Sequence, residues 1–411
     1  MGASLATIDA ILKEVYEPSI REQLNDEVVA LRRIERSSEG VTSQVGGKYV
    51  VFPIHTTRNS GVGARLEDSD LPIAGQQGYA RTQVPLRYLY GRIRLTGQTI
   101  ELADSNFQAF ASALSEEVNG VKTDLAKDLN RQVYGDGTGA IAQVASVATL
   151  AAFEVDTVQG LQLGMSIMLA TRSGNVMTAV AGTTGAVISD INPATKVVST
   201  TGATPATATA TTQYVVRADA SGNSGQTLEG QKEWTGLKKI VADSGSLYDI
   251  DPASTPIWKA RVDANGGTPR ALSEGLMILN TDYVRAAGSK TTVMFTNLGV
   301  RRAYFNLLVQ QRRYTNTQTF EGGFSGLAFT TDNGEIPLVV DTDAPSNTIY
   351  GLNEKEMKVY RDQDWSFMNR DGSNWSRIPN RDAYEATLYQ YSELGTHRRN
   401  SHFVILDITE A

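Results

Sequence analysis

Residues 105–134, SNFQAFASALSEEVNGVKTDLAKDLNRQVY, are the longest run in the chain with one unbroken helical period. Apolar residues recur there at steps of three and four, which places them on one stripe of a helix. The stripe comprises Phe107, Phe110, Ala111, Leu114, Val118, Val121, Leu125, Leu129 and Val133, and the opposite face comprises Glu116, Asn119, Thr123, Lys127 and Asn130. Asp104 or Ser105 can cap the start, and Gly135 favours an end. We predict a spine helix about 44 Å long.

Two long strand-like runs, residues 46–57 and 79–98, precede this helix, with a polar segment between them. A hairpin of this length would extend about 40 Å and project beyond a compact core. An isolated two-stranded ribbon is marginally stable in water. We therefore expect the hairpin to lie on a neighbouring copy of the same chain.

The composition limits the class of protein. The 411 residues suffice for two or three domains, and the formal net charge of −7 comes from interspersed acids and bases, which argues against a protein that wraps nucleic acid. The absence of cysteine excludes disulfides, thiolate catalysis and cysteine-ligated metals. The first residues lack a signal-peptide pattern and no apolar run reaches membrane length, so we expect a soluble product made inside the cell, with no membrane partner.

Residues 1–40 form an N-terminal arm with a helical apolar pattern that is interrupted at Pro18. The arm can pack on its own subunit or cross onto a neighbour, and the sequence leaves both readings open. After the spine helix, the string GDGTG at 135–139 follows a helix and lacks a closing Lys-Ser/Thr pair, so it indicates a linker and not a phosphate-binding loop.

Residues 140–224 are rich in Ala, Thr, Val and Gly and nearly free of aromatic residues. Short β-prone runs alternate with turn residues at 166–170, 176–180, 186–188, 196–200 and 214–217. This composition predicts a small all-β domain inserted between Gly-rich linkers.

From residue 225 onward, helices and strands alternate without a repeated βαβ pattern, which predicts an α+β domain. We predict helices at 234–243, at 270–287 after the cap Thr268-Pro269, and from Thr296 or Asn297 to residue 313. Predicted strands lie at 291–295, 336–341, 348–352, 357–361, 364–368, 384–394 and 401–408.

No constellation of residues indicates catalysis, a cofactor or a metal. His397 and His402 are five residues apart, which does not suit a shared metal, so all three histidines, including His55, are expected at a surface or an interface. Pairs such as Asp341 and Asp343 lack a partner motif. We expect the chain not to be an enzyme.

The densest positive cluster brackets one predicted helix. It consists of Arg301, Arg302, Arg312 and Arg313, and the acids Glu67, Asp68 and Asp70 lie in the segment between the hairpin strands. The arginines can form a solvated face with bridges within the chain, or pair with these acids across a subunit boundary. Contact with a genome ranks third.

The order of parts, a projecting hairpin, a spine helix, an α+β domain and a return to strands, resembles the major capsid proteins of tailed bacteriophages, which share the Hong Kong 97-like fold. The more specific similarity is in the C-terminal half. It is carried by VMFTN (293–297), RRAY (301–304), QRRY (311–314), FEGGF (320–324), IPLVVD (336–341), DGSNW (371–375), RDAYEA (381–386) and RRNSH (398–402).

The resemblance gives names to the parts. It implies an N-arm at 1–40, an E-loop at 41–100, a peripheral P-domain at 101–140 and 371–411, an inserted β domain at 141–224, and an axial A-domain at 225–370. The expected fold class is thus α+β, Hong Kong 97-like, with a small all-β insertion.

The resemblance also implies a function and its partners. Pentamers and hexamers of the chain would form an icosahedral bacteriophage head, assembled in the host cytoplasm, around double-stranded DNA that is not bound sequence-specifically. A portal protein is implied, and a decoration protein is left open. Because the N-arm begins near Met1, we predict a separate scaffolding protein. Because residues 58–78 contain no lysine, we predict no covalent cross-links between subunits.

Two other classes compete with a viral coat. An encapsulin-type bacterial nanocompartment has the same fold, but such proteins are usually shorter and lack a large β insertion. A β-rich surface or adhesion protein would need an export signal, which the N-terminus does not show.

Overall fold

The computed structural model of the chain describes residues 28–37, 49–96, 107–149, 151–174, 176–180, 186–201, 212–218, 227–228, 233–310, 318–319, 325–331, 334–369, 374 and 376–411. Helices within these segments are α1 (Ala30–Arg33), α2 (Phe107–Val133), α3 (Leu237–Ile240), α4 (Glu274–Ala286) and α5 (Leu298–Gln310), with 3-10 turns at Glu354–Glu356 and Arg399–Ser401. The spine helix predicted at 105–134 is confirmed as α2.

The spine helix lies on a six-stranded sheet. Its strands are β1 (Glu35–Ser37), β4 (Arg87–Thr96), β19 (Met357–Arg361), β20 (Ser366–Phe367), β21 (Ser376–Arg377) and β22 (Ala383–Thr396). The sheet and the helix are in close contact at Gly91 of β4, where an added Cβ would lie 2.7 Å from Leu125 Cδ1 and 2.8 Å from Val121 Cγ1. The apolar stripe of α2 therefore faces a strand that has no side chain at the crossing point.

A separate two-stranded ribbon is formed by β2 (Tyr49–Thr57) and β3 (Gly78–Pro85). The sequence predicted one strand over 79–98, and this is wrong: the run divides at Leu86, and β4 leaves the ribbon to pair along its length with β22. Pro85 has no N–H to continue the ladder, and Leu86 is buried in the core.

Strands from residues 140–228 form a sheet of their own. They are β5 (Ala140–Thr149), β6 (Ala152–Val155), β7 (Ser166–Ser173), β8 (Val176–Ala179), β9 (Ala186–Asn192), β10 (Val197–Thr201), β11 (Gln213–Arg217) and β12 (Thr227–Leu228). Because β11 pairs with both β5 and β7, six of these strands close into a barrel, and β8 and β12 extend from it. Buried apolar residues such as Val144, Phe153 and Ile188 form a separate core for it.

A seven-stranded mixed sheet is formed by strands between residues 261 and 405. Its order is β13 (Arg261–Asp263), β23 (Phe403–Ile405), β18 (Ile349–Leu352), β14 (Val293–Thr296), β17 (Gly334–Val340), β16 (Ser325–Thr331) and β15 (Gln318–Thr319). On one face, Met294 and Leu338 pack in a cluster with the buried sides of α4 and α5. On the other face, Val293 and Phe295 belong to the main core, which also contains the end of α2.

Two predicted helices are shorter than their sequence pattern. The helix predicted at 234–243 is reduced to α3. The helix predicted from residue 270 begins at Glu274, where the Ser273 side chain accepts a hydrogen bond from Leu276 N at 3.2 Å. Arg270 instead bridges to Ile408, and its N donates to Asp407 O at 2.7 Å. Pairing with the C-terminal segment therefore overrides the local preference for a helix start at Pro269.

The described part of the N-terminal arm packs on its own subunit. Val28, Leu31 and Ile34 are buried in the main core, and β1 pairs in parallel with β19. The rest of the predicted arm, residues 1–27 and 38–40, lies outside the described residues. No helix in the part of the chain that the structure describes is long and apolar enough to cross a membrane.

Candidate assembly interface

The ribbon is anchored at its base. Val50 and Ile54 of β2 and Val84 of β3 are buried in the main core. Gln83 N of β3 donates to Tyr248 O at 3.3 Å, which ties the ribbon to the loop after α3. Burying each of these aliphatic side chains contributes about 1.5–3 kcal/mol, so the base of the ribbon is held by its own subunit.

Beyond this base lies the tip, residues 58–77, which contains no strand. Four of its apolar side chains, Val62, Leu66, Leu71 and Ile73, are 84–89% exposed. Several large apolar side chains exposed to solvent in one projecting segment are typical of a surface that binds another molecule.

The predicted acids lie at the apex of the tip. Glu67, Asp68 and Asp70 are all exposed. The apex is a compact turn in which Ser69 Oγ donates to Leu66 O at 2.8 Å and Arg65 Nε donates to Asp70 O at 3.0 Å.

The structure places two of the four predicted arginines. Arg301 and Arg302 are exposed on α5, and Arg302 Nε donates to the backbone oxygen of Ala411. Arg312 and Arg313 lie outside the described residues. No ion pair joins the described arginines to the tip acids within the chain as far as the structure describes it, so any such pairing involves a second copy.

A buried arginine, which the sequence did not single out, fixes the loop that supports the ribbon. The Arg399 guanidinium is fully buried and donates to five backbone carbonyls, those of Lys239, Ile240, Ser244, Gly245 and Trp258, at 2.9–3.4 Å. Burial lowers the pKa of Arg399 to about 10, so the group remains charged at neutral pH. Its five N–H groups match the five acceptors. The only signal in the sequence is its place in the motif RRNSH.

A second buried site joins three segments at Asp341. Its carboxylate accepts from Ala30 N at 3.0 Å, from Asn130 Nδ2 at 3.1 Å, and from Tyr134 Oη at 3.1 Å. Burial, together with the charge of Asp343, raises the pKa of Asp341. Asn130, expected on the outer face of the spine helix, is instead buried because this junction covers it. The contacts connect the N-terminal arm, the spine helix and the seven-stranded sheet.

A buried contact between an arginine and a glutamate links β4 to β22. Arg87 Nε lies 3.1 Å from Glu393 Oε2, and Glu393 Oε1 accepts from Thr235 N at 2.6 Å and from Leu394 N at 3.0 Å. Burial outweighs the attraction of Arg87 and raises the pKa of Glu393 to about 8. Folding therefore favours the protonated, neutral carboxyl of Glu393, and the stability that this form confers is present below the ordinary glutamate pKa and is lost as the pH rises through about 8.

The expectation of a surface histidine at position 402 is wrong. His402 is fully buried, its Nδ1 accepts from Asn353 N at 3.3 Å, and its Nε2 lies 2.9 Å from Thr396 Oγ1. The backbone donor fixes Nδ1 as an acceptor, so Nε2 carries the proton. Burial and the charge of Arg398 lower the pKa of His402 to about 3. Among the described residues, no cluster of His, Asp or Glu could hold a metal ion.

The fold is one found in capsid proteins. The chain is similar to a chain of the cyanophage A-1(L) capsid asymmetric unit, with a TM-score of 0.58 at 15% identity over 99% of this chain and 100% of that one. It is also similar to a chain from the capsid of a native GTA particle, with a TM-score of 0.51 at 9% identity over 99% of both chains. Such subunits build a shell from repeated copies, and these similarities confirm the Hong Kong 97-like fold.

The family follows from the sequence match. Residues 122–409 match the SU10 major capsid protein family, so the chain belongs to that family. No curated protein sequence matches the chain. The predicted resemblance to bacteriophage major capsid proteins is thereby confirmed, and the family and fold point to a structural role as a capsid component.

Proposed function

We propose that the chain assembles as pentamers and hexamers into a closed icosahedral bacteriophage head around double-stranded DNA. The observation that carries this proposal is the tip, which leaves four large apolar side chains in the open on the single chain. The base of the same ribbon is firmly held by its own core. A projecting segment that is fixed at one end and uncovered at the other fits a contact between subunits.

The geometry favours a head-to-tail contact. The tip and any surface that receives it are different parts of the chain, and a contact between two different surfaces propagates from copy to copy. Such a contact closes into a ring when the rotation between subunits permits it. Rings of five and six subunits can then tile a closed shell.

The remaining partners follow from this role. The net charge of −7 suits a wall that encloses DNA without gripping it in a sequence-specific way. We propose a separate scaffolding protein and a portal protein as partners, with a decoration protein as a further candidate, and assembly in the host cytoplasm. We propose no enzymatic activity and no covalent cross-links between subunits.

We propose the domain boundaries that the sequence suggested: N-arm 1–40, E-loop 41–100, P-domain 101–140 and 371–411, A-domain 225–370, and an inserted domain at 141–224. The closed barrel with its own core supports the last of these. Replacing residues 141–224 with a short linker tests it. Retained far-UV circular dichroism of the helices and cooperative unfolding are expected, and a molten product would contradict the boundary.

The proposed function is tested by expressing the chain in bacteria with and without its scaffolding protein. Light scattering and negative-stain images should show rings of five and six or closed shells, with regular shells only when the scaffold is present. A monomer under all conditions would overturn the proposal. Particles that enclose a cargo enzyme and no DNA in infected cells would favour the encapsulin-type alternative. A ladder in a denaturing gel would contradict the absence of cross-links.

A further inference from the structure

One side of α5 carries an unusual mixture for a solvent-facing surface. Leu298 and Phe305 are 44% and 54% exposed, and Arg301 and Arg302 lie between them. At about 100° per residue, the four side chains share one face of the helix. The opposite face, with Val300, Tyr304 and Leu308, is buried against the seven-stranded sheet. We call the four residues Leu298, Arg301, Arg302 and Phe305 the α5 face.

The apex of the tip has the complementary order of groups. Leu66 and Leu71 are exposed at its two ends, and Glu67, Asp68 and Asp70 lie between them. Asp68 has a φ of 61°, a left-handed backbone conformation that helps to form the turn at the apex. The apex thus presents apolar, acidic and apolar groups in sequence, where the α5 face presents apolar, basic and apolar groups.

We propose that the tip of one copy docks on the α5 face of the neighbouring copy. The proposal rests on the proposed assembly function and assigns the receiving surface of that contact. The carboxylates of Glu67 and Asp70 pair with the guanidinium groups of Arg301 and Arg302. Leu66 and Leu71 cover Leu298 and Phe305, so that the ion pairs are shielded from water by an apolar rim.

The occupant of the α5 face is a second copy and not the same chain. Both the tip leucines and the α5 face are exposed within one subunit, which shows that they do not cover each other there. The acidic apex is attracted to the basic α5 face and would be repelled by an acidic surface, so the charges determine which surface the tip binds. The contact joins two different surfaces, so it extends from each copy to the next.

Charge reversal on each side tests the contact. The tip variant carries Glu67→Lys, Asp68→Asn and Asp70→Lys, where Asn tolerates the positive φ at position 68. The helix variant carries Arg301→Glu and Arg302→Glu. A control variant, Asp190→Lys, changes an exposed charge on the barrel strand β9. Thermal unfolding of each subunit should remain close to that of the unmodified chain, because all of these positions are exposed.

The measurement is the protein concentration at which rings form, determined by light scattering and electron microscopy. Each single-surface variant should raise it by about tenfold or more, and the combination of both variants in one chain should restore it. The control should leave it unchanged. A mixture of the tip variant with the helix variant should form only even-membered rings, because matched contacts then require the two chains to alternate.

The outcomes separate this contact from the function. If the unmodified chain does not assemble, the proposed function fails. If it assembles and the tip variant is impaired while the helix variant is not, the tip has another partner surface and this inference is overturned. Impaired single variants without rescue in the combined chain would also overturn it, since rescue depends on direct pairing.

Discussion

Replacing Arg399 should loosen the loop on which the ribbon rests. The guanidinium holds the end of α3 and the loop up to Trp258 through five carbonyls. That loop contains Tyr248, whose O accepts from β3 and whose Oη donates to Leu394 O at 2.9 Å. Arg399→Met removes all five donors and leaves the carbonyls in a dry core. Arg399→Lys keeps three N–H donors, all on the single Nζ atom.

The magnitude follows from the contacts. Hydrogen bonds from a charged donor can each be worth about 1.5–3 kcal/mol, but burying the guanidinium offsets part of this, as its lowered pKa shows. Taking about 1 kcal/mol net for each bond, Arg399→Met should lower the free energy of unfolding by about 5 kcal/mol. Arg399→Lys should lower it by at least about 2 kcal/mol, because an ammonium with three donors leaves at least two of the five acceptors unpaired.

Urea unfolding followed by tryptophan fluorescence measures the effect directly. Trp258 is buried and its O accepts from Arg399, and the buried Trp234 lies three residues before α3, so both indoles report on loosening of this region. The matched control is the adjacent Arg398→Met. Arg398 is half-buried and donates to Ala287 O and Gly288 O at the end of α4, so a loss of about 1 kcal/mol is expected. A free energy of unfolding of Arg399→Met within about 1 kcal/mol of that of the unmodified chain would show that the five hydrogen bonds do not stabilise this loop.

Three further predictions concern the core. Gly91→Ala should destabilise the chain by about 1–3 kcal/mol, because the added Cβ would clash with the spine helix. Gly120→Ala should stabilise the chain by up to about 1 kcal/mol, because the added Cβ meets no atom within 4 Å and alanine favours a helix. Midpoints of urea unfolding that shift by the same amount in both variants would contradict this. The unmodified chain should lose stability as the pH falls from about 6.5 towards 3, because the buried His402 imidazole resists protonation. His402→Gln has no group that titrates in this range, so this part of the acid-induced loss should disappear. Acid unfolding curves of the two proteins that superimpose would show that His402 does not cause the loss. Asn130→Ala should lower the free energy of unfolding by about 3 kcal/mol, since Leu31 N loses its acceptor and the carboxylates of Asp341 and Asp343 lose a donor. An unchanged midpoint of thermal unfolding would show that these contacts do not stabilise the fold.

Elements with a long, uniform pattern could be predicted from the sequence. The spine helix is within two residues of its predicted bounds because its stripe is long and nothing competes with it locally. The strand predicted at 357–361 is found as β19, and the one at 384–394 lies inside β22. The tip could be located because no regular pattern crosses it, and its acids and Arg301 are exposed as an interface would require.

Other features depend on contacts between distant segments and could not be predicted. The ribbon ends at Pro85 because β4 finds a longer partner in β22, almost 300 residues away, which no local pattern reveals. Helix α4 begins at Glu274 and not at the predicted residue 270, because Arg270 pairs with Ile408 in the C-terminal segment. Strands β5 and β6 lie outside the predicted β-prone runs because their many alanines lower the local strand preference, and pairing within the barrel overrides it.

The buried polar groups escaped prediction for a related reason. Asp341 and Glu393 look like surface carboxylates in the sequence, and only the fold places them out of water with donors around them. The same holds for Arg399, whose five acceptors lie in α3 and in the loop that follows it, more than 140 residues away. Burial of a charge is a property of the assembled core and leaves no periodic signal.

We infer that a neighbouring copy covers the tip in the assembled particle, and hydrogen–deuterium exchange of residues 58–77 measures that cover. In the single subunit these amides have no strand pairing and should exchange rapidly. In rings or shells they should exchange at least about tenfold more slowly, while the amides of β2 and β3 at the base change little. Equal exchange of the tip in subunits and in particles would contradict the claim.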